Sequence, residues 1–310
     1  MSIFREGLAA AFRFSGMPHL IRAALVRNNA TIIFYHDPAP DTVDLHLRYL
    51  ARYYRFTTMD CLVDAIRSGV WERVPKRALV VTIDDGHRGN AALTEVFARH
   101  GVRPLIYLCS QIVGTGRGFW FRVPGIDAPS LKPLPQEERL ARLKSQTGWT
   151  PALDLGPEGR HALSADELGA MKAHVDFGSH TRFHPILTTC SDAECREEIT
   201  VSKAEVEALT GGECRHFSFP NGDYSERELV YAEAAGYQSA RTIDLGWNGP
   251  DSDPYQLKMT GVSDDASLHV LAGQVVGFPT FFSRLLHGSP SGRHKPAIAG
   301  SRQTTNPAHD

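Results

Sequence analysis

Two carboxylates and two imidazoles in this chain are spaced for metal-assisted hydrolysis. Asp84 and Asp85 are adjacent and run into Gly86. His180 and His184 lie within Gly178-Ser179-His180-Thr181-Arg182-Phe183-His184-Pro185. Histidines at that spacing can share a face over one helical turn or a tight loop, as two ligands of one ion require. With Asp85 as the third ligand, one coordination position stays open, as in catalytic rather than structural metal sites. Asp84 is then free to act as a base toward water, and a weak base suffices once a metal has acidified that water. The plain alternatives are an Asx turn at Asp-Gly, a helix cap at Asp84 and a solvated loop at the histidines. The combination favours the metal.

These residues need strands to carry them. Ala78 to Ile83 is a continuous apolar, β-branched run that reads as a buried parallel strand ending at Asp84. A shorter run, Val175 to Phe177, precedes the histidines. Thr31 to Tyr35, Pro104 to Cys109, His216 to Phe219, Gln238 to Thr242 and Leu257 to Val262 read as further strands. Helical patterns lie between them at 44–54, 58–68, 90–100, 164–174, 191–210 and 226–235, and 265–286 is mainly helical. Strand–helix alternation over most of the chain implies a parallel α/β sheet under helical cover, with polar residues at one set of strand ends. Residues 111–163 break the pattern and read as a lid or binding loop. Within them, Phe119-Trp120-Phe121 could stack on a sugar ring, Trp120 in particular, or pack the lid.

Thr82-Ile83-Asp84-Asp85-Gly86 resembles the first motif of the polysaccharide deacetylases, the NodB-homology, carbohydrate esterase family 4-like amide hydrolases. His180-Thr181-Arg182-Phe183-His184-Pro185 is similar to the second motif, and Phe217-Ser218-Phe219-Pro220-Asn221-Gly222 to the third, in the same order and spacing. The resemblance covers roughly residues 30 to 285. It implies a distorted (β/α)7 barrel of the polysaccharide deacetylase type. It also implies a divalent metal, zinc first and cobalt, nickel or iron otherwise, on Asp85, His180 and His184, with Asp84 as general base. The backbone N–H of Asn221, after Pro220, would share the oxyanion with the metal, and Gly222 would let the backbone come close.

Two departures stand out. Many members carry an arginine two residues before that proline, where it orients the base. Here the position is Ser218, with Arg241 or Lys258, both near strand ends, as substitutes. The late Leu-x-His motif that supplies the general acid is also missing. Leu268-His269-Val270 has the composition, but Asp265-Ala266-Ser267 reads as a helix start that carries His269 away on the helix. The run Thr31 to Asp37 has the required shape, an apolar strand ending in His36-Asp37, as in a circularly permuted branch of the family. His36 is therefore the expected acid, with His87 as the alternative.

Among 310 residues, 42% are apolar and 22% charged, an ordinary globular composition. The net charge of −2 and the lack of a basic stripe argue against a nucleic-acid partner. Five cysteines without a C-x-x-C pair suit a reducing compartment, with Cys61 and Cys109 expected to be buried thiols. No signal peptide or membrane-spanning stretch is evident, which points to a cytoplasmic location. Residues 1–27 carry Arg5, Arg13, Arg22 and Arg27 against one acid. They could lie on an anionic membrane surface as an amphipathic helix, or simply pack on the barrel. The expected organisation is an N-terminal helical segment at 1–30, a barrel at 31–287 with an insertion at 111–163, and a disordered tail at 288–310.

The expected activity is removal of N-acetyl groups from an N-acetylated sugar of a polysaccharide or its lipid-linked precursor, such as a bacterial surface glycan. Water held at the metal attacks the amide, Asp84 takes the proton and His36 protonates the amine. A deformylase or other non-peptide amidase on the same site, and a catalytically inactive glycan-binding barrel, are the alternatives.

Overall fold

The computed structural model describes residues 3–278, so the expected tail lies outside the described residues. The strands are β1 (Thr31–Tyr35), β2 (Arg55–Phe56), β3 (Ala78–Ile83), β4 (Leu105–Leu108), β5 (Asp176–Ser179), β6 (His216–Ser218), β7 (Ser239–Leu245) and β8 (Leu257–Gly261). All pair in parallel. β1 pairs with β8 on one side and β3 on the other, which closes seven strands into a ring. The two-residue β2 pairs only with Ala78 and Leu79 at the start of β3, whereas β4 pairs with Thr82 and Ile83 at its end.

The helices are α1 (Ile3–Phe14), α2 (Met17–Ile21), α3 (Pro40–Leu50), α4 (Met59–Ser68), α5 (Thr94–His100), α6 (Ala128–Leu131), α7 (Gln136–Thr147), α8 (Ala165–Met171), α9 (Asp192–Thr210), α10 (Glu226–Ala234) and α11 (Leu268–Gln274). The expected capping box of Ser164 and Glu167 opens α8. Helix α3 begins at Pro40 rather than Asp44. Proline suits the first turn of a helix, where its missing N–H has no partner to lose.

Strand alternation decides what reaches the site. Leu79, Val81 and Ile83 join Ile33 and Tyr35 in the large core that also holds Leu47, Leu50 and Phe97 of the helices. Ile32, Val80, Leu105 and Tyr107 form a second, inner set, on which Met59, Leu62 and Val63 of α4 pack. The inner parity of Ile32 and Phe34 continues to His36, and that of Val80 and Thr82 continues to Asp84. A residue just past either strand therefore inherits an inward direction.

The insertion is a packed layer whose Trp120, Leu131, Leu143 and Trp149 form a small core with Ile186, which follows the histidine loop. Arg139, 1% exposed, ties it down by donating to the carbonyls of Leu131, Lys132 and Leu134 and to Thr189 Oγ1. All five cysteines are free thiols; Cys109 is buried as expected, but Cys61 is only half-buried because it lies on the outer side of α4. No described helix is long and apolar enough to cross a membrane.

Candidate active site

Adjacent residues on a strand point to opposite faces, yet Asp84 and Asp85 both line one cavity of about 450 Å³. The backbone makes this possible. Asp84 still continues the ladder, its N–H donating to Tyr35 O at 2.9 Å. Asp85 then turns left-handed, with φ of 72°. Gly86 follows at φ 69°, and a Cβ there would meet Leu108 Cδ2 at 2.7 Å. Thr181, His184 and Asn221 share this left-handed conformation, so four of the five described non-glycine residues with positive φ lie at this site. Such positions cost about 1 kcal/mol or more each and collect where function demands them.

The three expected ligands converge. His184 Nε2 and His180 Nε2 lie 3.3 and 3.5 Å from Asp85 Oδ1. One potential ligand atom from each of the three lies within 4.8 Å of the others, and all three residues are buried. Asp85 Oδ1 is buried without a hydrogen-bond partner, which a cation would supply. His180 Nδ1 sits 2.7 Å from Ser218 O, so the Nδ1–H donates there and Nε2 keeps its lone pair for a ligand bond. This donor set fits a divalent metal with an open position.

The surroundings hold the ligands in place. His87 Nε2 lies 3.0 Å from Asp85 Oδ2 and is 2% exposed. His87 therefore braces the carboxylate from behind and is not placed as an acid at the cavity. Burial would raise the Asp85 carboxyl, but the imidazoles of His184, His87 and His180 outweigh it and hold the group well below the usual carboxylate range. Burial also pushes the His184 imidazole down to about 4, leaving it neutral as a ligand must be. The loop between the histidines hangs on Glu198 of α9, whose Oε2 accepts the N–H groups of Arg182 (2.8 Å) and Phe183 (3.1 Å). Burial pushes this carboxyl up to about 7 despite those two donors. His184 O accepts from Trp120 Nε1 at 2.9 Å.

Asp84 has a tether. Arg241, 1% exposed, reaches its two oxygens with one nitrogen at 2.6 and 2.5 Å, and the same nitrogen donates to Ser218 Oγ at 2.7 Å. The guanidinium lies over Phe34 and Tyr107 inside the barrel, which excludes water from the pair. Lys258 makes no contact with Asp84 among the described residues.

Pro220, Asn221 and Gly222 form a single turn after β6. Its internal bond runs from Gly222 N–H to Phe219 O at 2.9 Å, so the turn does not consume the N–H of Asn221. Gly222 has φ of 71°, and a Cβ there would overlap Ile243 at 2.2 Å, so only glycine fits. The Asn221 side chain is fixed by Lys132 Nζ on Oδ1 (2.6 Å) and by its own Nδ2 on Asp223 (2.7 Å).

His36 lines the same cavity from the end of β1. Its N–H and that of Asp37 donate to the two carboxylate oxygens of Asp264 at 3.0 and 2.9 Å, and Asn90 Nδ2 donates to His36 O at 2.8 Å. His269 sits on α11 against Phe14, remote from this cavity. Trp120 also borders the cavity, but it is 4% exposed. Its indole N–H is engaged by His184 and its ring by Arg139 at 5.1 Å. It wedges the ligand loop more than it offers a free face. Phe121, edge-on to His184 at 4.8 Å, is the more open aromatic. Sequence reasoning missed Glu198, Lys132 and Asp264. Only Asp264 carried a signal, as a carboxylate just past the end of a barrel strand.

Known proteins share this architecture. The family model for polysaccharide deacetylase matches residues 72–240, more than half of the chain. YxkH of Bacillus subtilis (strain 168), whose name assigns it provisionally to the polysaccharide deacetylases, is 28% identical over 109 residues, or 35% of this chain and 39% of that protein. The match thus spans well under two thirds of that relative. The structure of the Streptococcus pyogenes deacetylase PplD in complex with acetate aligns over 80% of this chain and 99% of its own, with a TM-score of 0.59 at 15% identity. IcaB from Ammonifex degensii aligns over 82% of this chain and 98% of its own, with a TM-score of 0.59 at 18% identity. At these identities the two structures speak for the fold, a distorted (β/α)7 barrel. With the family match over residues 72–240, this chain belongs to the polysaccharide deacetylase family.

Proposed function

We propose that the protein is a metal-dependent hydrolase that removes N-acetyl groups from an N-acetylated sugar of a polysaccharide or its lipid-linked precursor. The carrying observation is the Asp84–Arg241 pair, which opens onto the same cavity as the cluster of Asp85, His180 and His184. Those three residues would hold a divalent ion, zinc being the natural choice for two imidazoles and one carboxylate. When bound, the ion supplies Lewis acidity toward water and toward a carbonyl oxygen.

The chain's own groups do the rest. Asp84 accepts the proton lost by the attacking water. Arg241 uses one edge of that carboxylate and leaves lone pairs for the proton. The N–H of Asn221 donates to the oxygen that gains charge as the amide carbon becomes tetrahedral. His36, at the cavity wall, gives its proton to the departing amine, which cannot leave as an anion. Phe34 and Phe121 offer apolar wall to a sugar ring.

The test is acetate release from N-acetylhexosamine oligosaccharides with zinc or cobalt, with Asp84→Asn beside the wild type. Release by the wild type alone supports the reading. Formate release from N-formylated sugars without acetate release would replace it with a deformylase.

A further inference from the structure

A second cavity, of about 250 Å³, lies at the opposite end of the barrel from the reaction site and is lined by His19, Arg22, Arg27, Lys76 and Arg77. Arg77 immediately precedes β3, and Arg27 lies four residues before β1. Asp84 and His36 follow the other ends of the same two strands. The two cavities are thus separated by the length of a six-residue strand, roughly 20 Å.

The cation cluster has no internal counter-charge. Among the described residues, no carboxylate stands within ion-pair distance of Arg22, Arg27, Lys76 or Arg77. Arg22 is only 5% exposed, and its guanidinium lies 4.1 Å from the Tyr53 ring centre and beside the hydroxyls of Tyr49 and Tyr54. Four cations gathered at one cavity repel one another unless an anion completes the cluster. The backbone is also strained toward this arrangement. Arg77 holds φ at 59°, pinned by its N–H on Arg27 O at 3.0 Å, and is the one described non-glycine left-handed residue outside the reaction site.

Exposed apolar side chains occur along the same N-terminal segment. Leu8, Phe14, Met17, Leu20 and Leu25 are between 43% and 74% exposed, and all lie in the segment that carries His19, Arg22 and Arg27. The segment still packs on the barrel through Phe12 and Val26, so its outer face is left unpartnered rather than unfolded. Cations beside exposed Leu and Phe match the layered chemistry of an anionic bilayer, phosphate outside and acyl chain beneath.

We propose that this cavity binds the phosphate group of an anionic phospholipid while Phe14, Leu20 and their neighbours enter the lipid interface. The protein would then sit on a membrane with its catalytic mouth directed away from the bilayer.

The test is sedimentation of the full chain with vesicles of phosphatidylcholine alone and of phosphatidylcholine mixed with phosphatidylglycerol. Inorganic phosphate and glycerol 3-phosphate are titrated separately. Binding is expected only to the mixed vesicles and should weaken with salt. Arg27→Gln/Lys76→Gln should bind about thirty-fold more weakly, as expected for two lost surface cations. Phe14→Ser/Leu20→Ser should also lose binding. All four positions are exposed, so both variants should melt with the wild type and keep its activity on a soluble substrate. Mixed-vesicle binding that survives Arg27→Gln/Lys76→Gln would overturn the proposal. So would binding of the soluble phosphates with no binding to vesicles, which would mark a free-anion site instead.

Discussion

Arg241 and Ser218 stand at the same register on β7 and β6, and the arginine nitrogen that bonds Ser218 Oγ also bonds Asp84. The charge that the family pattern places on one strand comes here from its neighbour at the same depth. The small serine leaves room for the guanidinium and accepts one of its hydrogens.

Arg241→Lys should therefore lower kcat about a hundredfold, since the shorter side chain sets its ammonium short of the position from which one arginine nitrogen fixes Asp84. Ser218→Ala should cost much less. Arg241→Ala should also destabilise the fold by about 3–5 kcal/mol by leaving a buried carboxylate unpaired. Acetate release and thermal melting on the same samples check both effects.

Removal of metal by a chelator should abolish turnover and lower the melting temperature, with zinc restoring both. Saturating metal a hundredfold above its Kd stabilises the fold by about 2.7 kcal/mol. Asp85→Asn and His184→Ala should lose bound metal in elemental analysis. Asp84→Asn should keep the metal and lose kcat, which separates ligand from base.

His36→Ala should lower kcat on an N-acetyl sugar by about 10²–10⁴-fold, the usual contribution of a positioned acid. The same variant should retain most of its activity on an acetate ester with an acidic phenol as leaving group, because that group departs without a proton. Equal losses on both substrates would place His36 in a structural role.

Glu198 makes stability depend on pH. Its carboxyl lies near 7 in the folded protein against an ordinary value of 4.5. Between these values the folded state keeps a proton that the unfolded chain has released. Stability should therefore fall as pH rises from about 4.5 to 7 and level off above, with a slope of at most about 1.4 kcal/mol per pH unit. Glu198→Gln should remove that slope from denaturant titrations of the metal-free protein.

Much of this was legible before the fold was seen, because the signals are local. The apolar run before Asp84 and the Pro-Asn-Gly turn each occupy a few neighbouring residues. The stretch Ala78–Ile83 is a fully buried strand because helices cover one side and the inner packing the other. His180 and His184 were recognisable as a pair, but not the way they meet. They do not share a helical turn; a loop with left-handed Thr181 and His184 brings their Nε2 atoms to Asp85. Trp120 was legible as an aromatic, whereas its role under His184 depends on how the insertion folds back.

The sequence by itself marked the candidate residues Asp84, Asp85, His180, His184 and His36 and most of the strands that precede them, since alternation and motif spacing act over short stretches. Only the tertiary structure decided the partners. Arg241 meets Asp84 across 157 positions, Asp264 meets His36 across 228, and Glu198 reaches the ligand loop from a later helix. A closed ring of parallel strands gathers its carboxyl ends at one mouth whatever their order along the chain. Pairing there follows strand register and depth, which no local pattern of residues records.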